Sequence, residues 1–227
     1  MPVARLPSGS WIEMPVVVLH GSEPGPTAWL SGAIHGDELN GIEIVRRLLK
    51  QIDPKTLCGT VLGVPIVNVY GVTSGSRYLP DRRDLNRSFP GSMKGSMASR
   101  VAHLFFDRVA SRCDVGLDFH TGSNGRSNLP HLRCDTDNKK TRRLANHFGP
   151  PLVIQAGLRD GSLRAAASER GIQVLLYEAG EAHRFDEAAI QLGVDGTLRV
   201  LSALKMIPPS ATTSGQRPMI AKKSSWM

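Results

Sequence analysis

Ala28-Trp29-Leu30-Ser31-Gly32-Ala33-Ile34-His35-Gly36-Asp37-Glu38 decides how the rest of the chain is read. Its first seven residues are apolar or small, the composition of a buried strand, and Gly36 and Asp37 suit the turn that ends it. Leu39, Ile42, Val45, Leu48 and Leu49 then recur at helical spacing, which predicts a helix over residues 39–51. A strand running through a tight turn into a helix is one unit of an α/β fold. It also sets His35 and Glu38 at the junction, where both side chains can face one point.

The same logic recurs downstream. Val115, Leu117 and Phe119 form a short apolar strand that delivers His120 to the Thr121-Gly122 turn. In open α/β sheets, ligand sites gather beyond the carboxyl ends of strands, so two such ends can bring three side chains to one crevice. Two imidazoles and a carboxylate are ordinary zinc donors and leave a fourth position open to water, as in hydrolytic sites, whereas structural zinc sites close with four ligands rich in Cys. The helix-borne HExxH pattern is absent. Singly, His35 and Glu38 read as a helix start and His120 as a buried, backbone-bonded histidine. Together the three point to a metallohydrolase. His20, His103, His131, His147 and His183 lack such context and read as surface or packing residues.

Further strands are predicted at Val16–Leu19, Thr60–Val69, Leu152–Gln155 and Val174–Tyr177, and further helices at Ser99–Ser111, Lys139–Phe148, Leu163–Glu169 and Phe185–Met206. Their alternation predicts a sheet with helices on its faces. The 227 residues, 41% hydrophobic and 21% charged, suit one main domain with a substantial core. The apolar runs are too short to span a membrane, and the N-terminus lacks the features of a secretory signal, so a cytoplasmic protein is expected. Cys58, Cys113 and Cys134 are odd in number and without CxxC spacing, which argues for reduced packing residues. The net charge of +8 permits nucleic-acid association, but the basic residues are scattered and aromatics make up only 5%, so nucleic acid is not expected as a partner.

Residues 77–91, Arg77-Tyr78-Leu79-Pro80-Asp81-Arg82-Arg83-Asp84-Leu85-Asn86-Arg87-Ser88-Phe89-Pro90-Gly91, concentrate arginine and asparagine in a loop. Guanidinium groups bind carboxylates through paired charge-assisted hydrogen bonds, and Asn can present both donor and acceptor. Arg82 and Arg83 read as solvated residues paired with Asp81 and Asp84. Glu178 follows another buried strand and could take a proton from attacking water and return it to a leaving nitrogen. Glu181, beyond Gly180, reads as an exposed loop residue.

With these residues in place the chain resembles the succinylglutamate desuccinylase/aspartoacylase family of zinc amidohydrolases. Four segments match in order: Gly32 to Glu38, Asp84 to Gly91, Asp118-Phe119-His120-Thr121-Gly122 and Tyr177-Glu178-Ala179-Gly180. The resemblance implies a carboxypeptidase-like α/β fold, a mixed β-sheet flanked by helices. It implies one Zn2+ bound by His35, Glu38 and His120, with Glu178 as general base and then acid. Arg77 would polarise the scissile carbonyl, with Arg82 or Arg83 as competitors, and Asn86 and Arg87 would hold the substrate carboxylate.

The expected reaction is hydrolysis of an N-acyl amino acid or related small acylated amine. The loops at residues 123–133 and 158–163 would choose among substrates. A zinc carboxypeptidase acting on peptides and a non-catalytic polyanion-binding module are the alternatives. No membrane partner is expected, and self-association into a homo-oligomer stays open. Residues 1–208 are expected to form the catalytic domain. After Pro208-Pro209 the composition turns polar, so residues 209–227 read as a linker or the start of the family's carboxyl-terminal β domain, with Ser225-Trp226-Met227 as its first residues and the remainder missing.

Overall fold

In a computed structural model, the structure describes residues 1–123, 125–209, 215 and 217–222. The elements in chain order are β1 (Pro2–Arg5), β2 (Trp11–Glu13), β3 (Val17–His20), β4 (Glu23–Gly32), α1 (Asn40–Gln51), β5 (Cys58–Val64), α2 (Val69–Ser74), α3 (Met97–Arg108), β6 (Val115–Gly122), β7 (Asn128–Cys134), α4 (Lys139–Phe148), β8 (Leu152–Gln155), α5 (Leu163–Ser168), β9 (Gln173–Glu181), α6 (Glu187–Ala203) and β10 (Met219–Ala221). Strands β1 and β2 form a small hairpin, and the rest build one eight-stranded mixed sheet in the order β10-β8-β7-β9-β6-β4-β5-β3. The neighbours β5, β4, β6 and β9 run parallel, β3 pairs antiparallel at one edge, and β7 meets β9 antiparallel.

Strand alternation divides the core into two layers. Ala28 and Leu30 of β4, Val115, Leu117 and Phe119 of β6, and Leu175, Tyr177 and Ala179 of β9 face one layer, packed under α1, α4 and α6. Trp29 and Val174 face the other, under α3 and α5. The intervening residues Ser31, Asp118, His120 and Glu178 therefore share this second face of three adjacent strands. Every residue of β6 is buried, as expected for a central parallel strand covered on both sides.

Two expectations need correction. The strand expected over Thr60–Val69 ends at Val64. Pro65 has no N–H for a ladder, and Asn68 instead caps α2 by accepting from the Gly71 N–H at 2.9 Å. Most of the loop expected over residues 123–133 is instead strand β7, Asn128–Cys134, which lies between β8 and β9. Pro2–Arg5 and Trp11–Glu13 pair as a hairpin not anticipated from the sequence. Within the stretch read as a linker or the start of a further domain, Met219–Ala221 pairs in parallel with Leu152–Ile154 at the sheet edge. The reading of Ser225-Trp226-Met227 lies outside the described residues.

Candidate metal centre and cavity

Strand β4 ends at Gly32, where the chain turns sharply. Ala33 takes a positive φ of 49°, and a Cβ on Gly36 would lie 2.0 Å from the Gly71 carbonyl carbon. The turn is therefore pressed against α2, and this close approach sets the path from His35 to Glu38. One strand over, His120 sits near the end of β6, and its register partner on β9 is Glu178.

Ligand-capable atoms of His35, Glu38 and His120 lie within 4.8 Å of one another, and all three residues are buried. His35 Nδ1 is 2.8 Å from Glu38 Oε1, and His120 Nδ1 is 2.8 Å from Glu38 Oε2. On the outer sides, His35 Nε2 meets Asp84 Oδ1 at 3.2 Å and His120 Nε2 meets Asp118 Oδ2 at 2.7 Å. Each outer carboxylate can accept the Nε2–H of its histidine, which leaves Nδ1 as the nitrogen directed inward toward Glu38, the arrangement that orients metal-binding histidines. Two inward lone pairs facing a carboxylate need positive charge between them: a proton on each ring, or one cation shared by all three. The donor set fits a divalent ion.

The electrostatics agree with that demand. Burial lowers both imidazole pKa values, yet His35 is raised by Glu38 and Asp84, and His120 is raised well above its ordinary value by Asp118 and Glu38. Burial raises Glu38, but the two histidines outweigh it and hold the carboxyl well below the usual range. Asp84 is likewise lowered, with burial overcome by His35 and Arg77.

These groups open on a cavity of about 1080 Å³. Glu178 lines it, its carboxyl pushed up to about 7, chiefly by burial, while its Oε2 accepts from Asn128 Nδ2 at 2.8 Å. Glu181 is instead the last residue of β9, half-buried and paired with Arg184 at 3.4 Å, so its expected exposed loop position is corrected. Arg77 also lines the cavity. Its Nη1 donates to Glu38 Oε1 and Ser123 Oγ, both at 3.2 Å, and its Nη2 to Asp84 Oδ2 at 3.1 Å. Arg82 and Arg83 are exposed and outside the lining.

The expected pairing of Asp84 with that arginine run is corrected too, because Asp84 serves His35, Arg77 and the Asn86 N–H. Asn86 and Arg87 line the cavity. The Asn86 Oδ1 accepts from the Leu163 N–H at 2.9 Å, so its NH2 group, rather than both ends of the amide, is what it can offer a ligand.

Sequence reasoning did not single out Asp84 or Asp118 as partners of the histidines, Asn128 as a partner of Glu178 or Ser123 as a partner of Arg77. Asp84 and Asp118 stood inside quoted motifs, and a carboxylate two residues before a candidate histidine on one strand was the available signal, since i and i+2 share a face. His131 is the β7 register partner of Glu178, with Nδ1 2.8 Å from the Leu129 carbonyl. Cys113 and Cys134 are buried and pushed up to about 12 by burial, in keeping with packing thiols.

Residues 24–204 match the family model of the succinylglutamate desuccinylase/aspartoacylase catalytic domain. The chain belongs to this family. Over 150 residues it is 36% identical to an N-alpha-acetyl-L-2,4-diaminobutyric acid deacetylase of Halomonas elongata, a match taking in 63% of this chain and 43% of that protein. Over 136 residues it is 28% identical to a "Probable aspartoacylase" of Prochlorococcus marinus, taking in 55% of this chain and 44% of that protein. The matched segment is thus less than half the length of either curated relative. A solved succinylglutamate desuccinylase/aspartoacylase from Rhodobacter sphaeroides shares the fold with a TM-score of 0.87 at 28% identity, over 98% of this chain and 70% of that one. Among the described residues of this desuccinylase/aspartoacylase family member, no helix is long and apolar enough to cross a membrane.

Proposed function

We infer that the chain hydrolyses the amide bond of an N-acylated amino acid, with one zinc ion held by His35, Glu38 and His120. The observation that carries this reading is the convergence of those three donors within 4.8 Å in the same cavity as Glu178. Bound there, zinc would supply Lewis acidity, polarising the scissile carbonyl and lowering the pKa of water toward about 7.

The chain's own groups do the rest. Glu178, with a pKa near 7, takes the proton of the attacking water and passes it to the leaving nitrogen. Arg77, held in place by Glu38, Asp84 and Ser123, donates to the oxygen on which negative charge develops. The Asn86 NH2 and the Arg87 guanidinium hold the carboxylate of the amino-acid half. Arg126, Arg133, Arg159 and Lys222 add positive charge to the lining, where the described carboxylates are only Glu38 and Glu178. A substrate with a second carboxylate suits that wall better than one with a side-chain ammonium.

The test is release of free amine from N-acetyl and N-succinyl derivatives of aspartate, glutamate and 2,4-diaminobutyrate, with short peptides as the competing class. Bound zinc is measured by elemental mass spectrometry, and His120→Ala is the control. The expected result is about one zinc per chain, acidic substrates cleaved fastest, and loss of both metal and activity in the variant. Hydrolysis undiminished in His120→Ala, or peptides cleaved in preference to every acylated amino acid, would overturn the reading.

A further inference from the structure

Behind His120 lies a chain of buried hydrogen bonds that the proposed mechanism does not use. Trp29 Nε1 donates to Ser31 Oγ at 3.3 Å, Ser31 Oγ donates to Asp118 Oδ1 at 2.7 Å, and Asp118 Oδ2 is 2.7 Å from His120 Nε2. Trp29 and Ser31 are fully buried and Asp118 nearly so, so water does not stand in for any partner. Ser31 and Asp118 are direct register partners on β4 and β6, as are Trp29 and Gly116. Gly116 makes the arrangement possible, because a Cβ there would lie 2.0 Å from the Trp29 ring; its absence leaves room for the indole, whose N–H reaches Ser31.

The proton directions in this chain are fixed from its far end. An indole N–H can only donate, so it occupies a lone pair of the Ser31 hydroxyl. The single hydroxyl proton then goes to Asp118 Oδ1. Held in this way, Asp118 turns Oδ2 toward the His120 Nε2–H, so that Nδ1 is the ring nitrogen that faces Glu38 and whose lone pair a metal would take. We propose that Ser31 and Trp29 are positioning residues for His120, fixing which ring nitrogen is presented to the metal from one strand away. The proposal rests on the metal reading of the site. By comparison Asp84, which orients His35, is half-buried and shared with Arg77 and a backbone N–H, so the β6 side is the more completely sealed of the two.

The experiment compares wild type, Ser31→Ala, Ser31→Thr and Trp29→Phe. Zinc affinity is read by chelator competition, and the His120 Nε2–H proton by 1H–15N NMR of the metal-free chain. Loss of an outer partner of a metal-binding histidine commonly weakens affinity about 10- to 100-fold. Ser31→Ala is expected to fall in that range and to lose the slowly exchanging Nε2–H resonance. Ser31→Thr, which keeps the hydroxyl, restores both, and Trp29→Phe gives a smaller loss because Ser31 can still donate.

A Ser31→Ala chain with wild-type zinc affinity and an unchanged Nε2–H signal would overturn the proposal. A thermal melt lowered without change in either readout would also overturn it, leaving a packing role alone. If wild type itself binds no zinc, the metal reading fails, and the Nε2–H signal alone then decides whether Ser31 orients His120.

Discussion

Burial keeps the Glu178 carboxyl protonated up to about pH 7, and a group that must accept a proton from water works best with a pKa near the working pH. Glu178→Gln keeps the shape and the bond from Asn128 but cannot take the proton. It should lower kcat by roughly 10²- to 10⁴-fold with zinc content unchanged; loss of metal instead would assign Glu178 to the metal shell. The sign of the pH dependence follows from the raised pKa. Only the ionised form is a base, so kcat/KM should fall by about tenfold per pH unit below 7 and level off above it. A rate that stays flat from pH 7 down to 5 would mean that another group takes the proton. At this scale the sequence was informative where a chemical group stands at the end of an apolar strand, as His35, Glu38, His120 and Glu178 do. It was uninformative about pairing through space. Asp84 lies beside Arg83 in sequence, yet it serves His35, 49 residues earlier in the chain, which no spacing rule could reveal.

Helix α6 packs at close range on α1, β9 and α4 because Gly193 and Gly196 leave room for Ile44, Tyr177 and Phe148. A Cβ at Gly196 would lie 2.5 Å from the Phe148 ring, and the ring, fully buried, has nowhere to move. Gly196→Ala should therefore destabilise by about 1–3 kcal/mol, although alanine favours a helix interior by up to about 1 kcal/mol over glycine. Gly157→Ala, where nothing lies within 4 Å of the added atom, is the neutral control. A Gly196→Ala chain that melts at or above the wild-type temperature would show that the α6 contact is looser than described. The helices were the most legible elements: α4 spans Lys139–Phe148, as its apolar period predicts. Strand β7 was not legible, because Leu129-Pro130-His131 breaks the apolar alternation and proline is uncommon inside a sheet. Its pairing is set by β8 and β9 on either side, which is tertiary information.

Over the whole molecule, a metal that binds the folded chain and not the unfolded one adds stability in proportion to the logarithm of its excess. At a hundredfold excess over Kd this is about 2.7 kcal/mol, and a chain of this size shifts by about 2–4 °C per kcal/mol. Chelation should then lower Tm by roughly 5–11 °C, and His120→Ala should show no such shift; an equal shift in both would place the stabilising ion elsewhere. The layered α/β order was legible throughout, since strand and helix periods differ, whereas the edge strand β10 was not, because three residues in a polar stretch carry too little pattern. The separation of His120 and Glu178 is set by their pairing on neighbouring strands, and so by backbone spacing of about 4.8 Å rather than by any loop. Evolution is thereby free to lengthen, shorten or replace the loops around the cavity and let substrate range drift. One residue inserted within β9, by contrast, would exchange Glu178 for a residue of the opposite face, so the lineage can tolerate almost any change of appetite but no change of register.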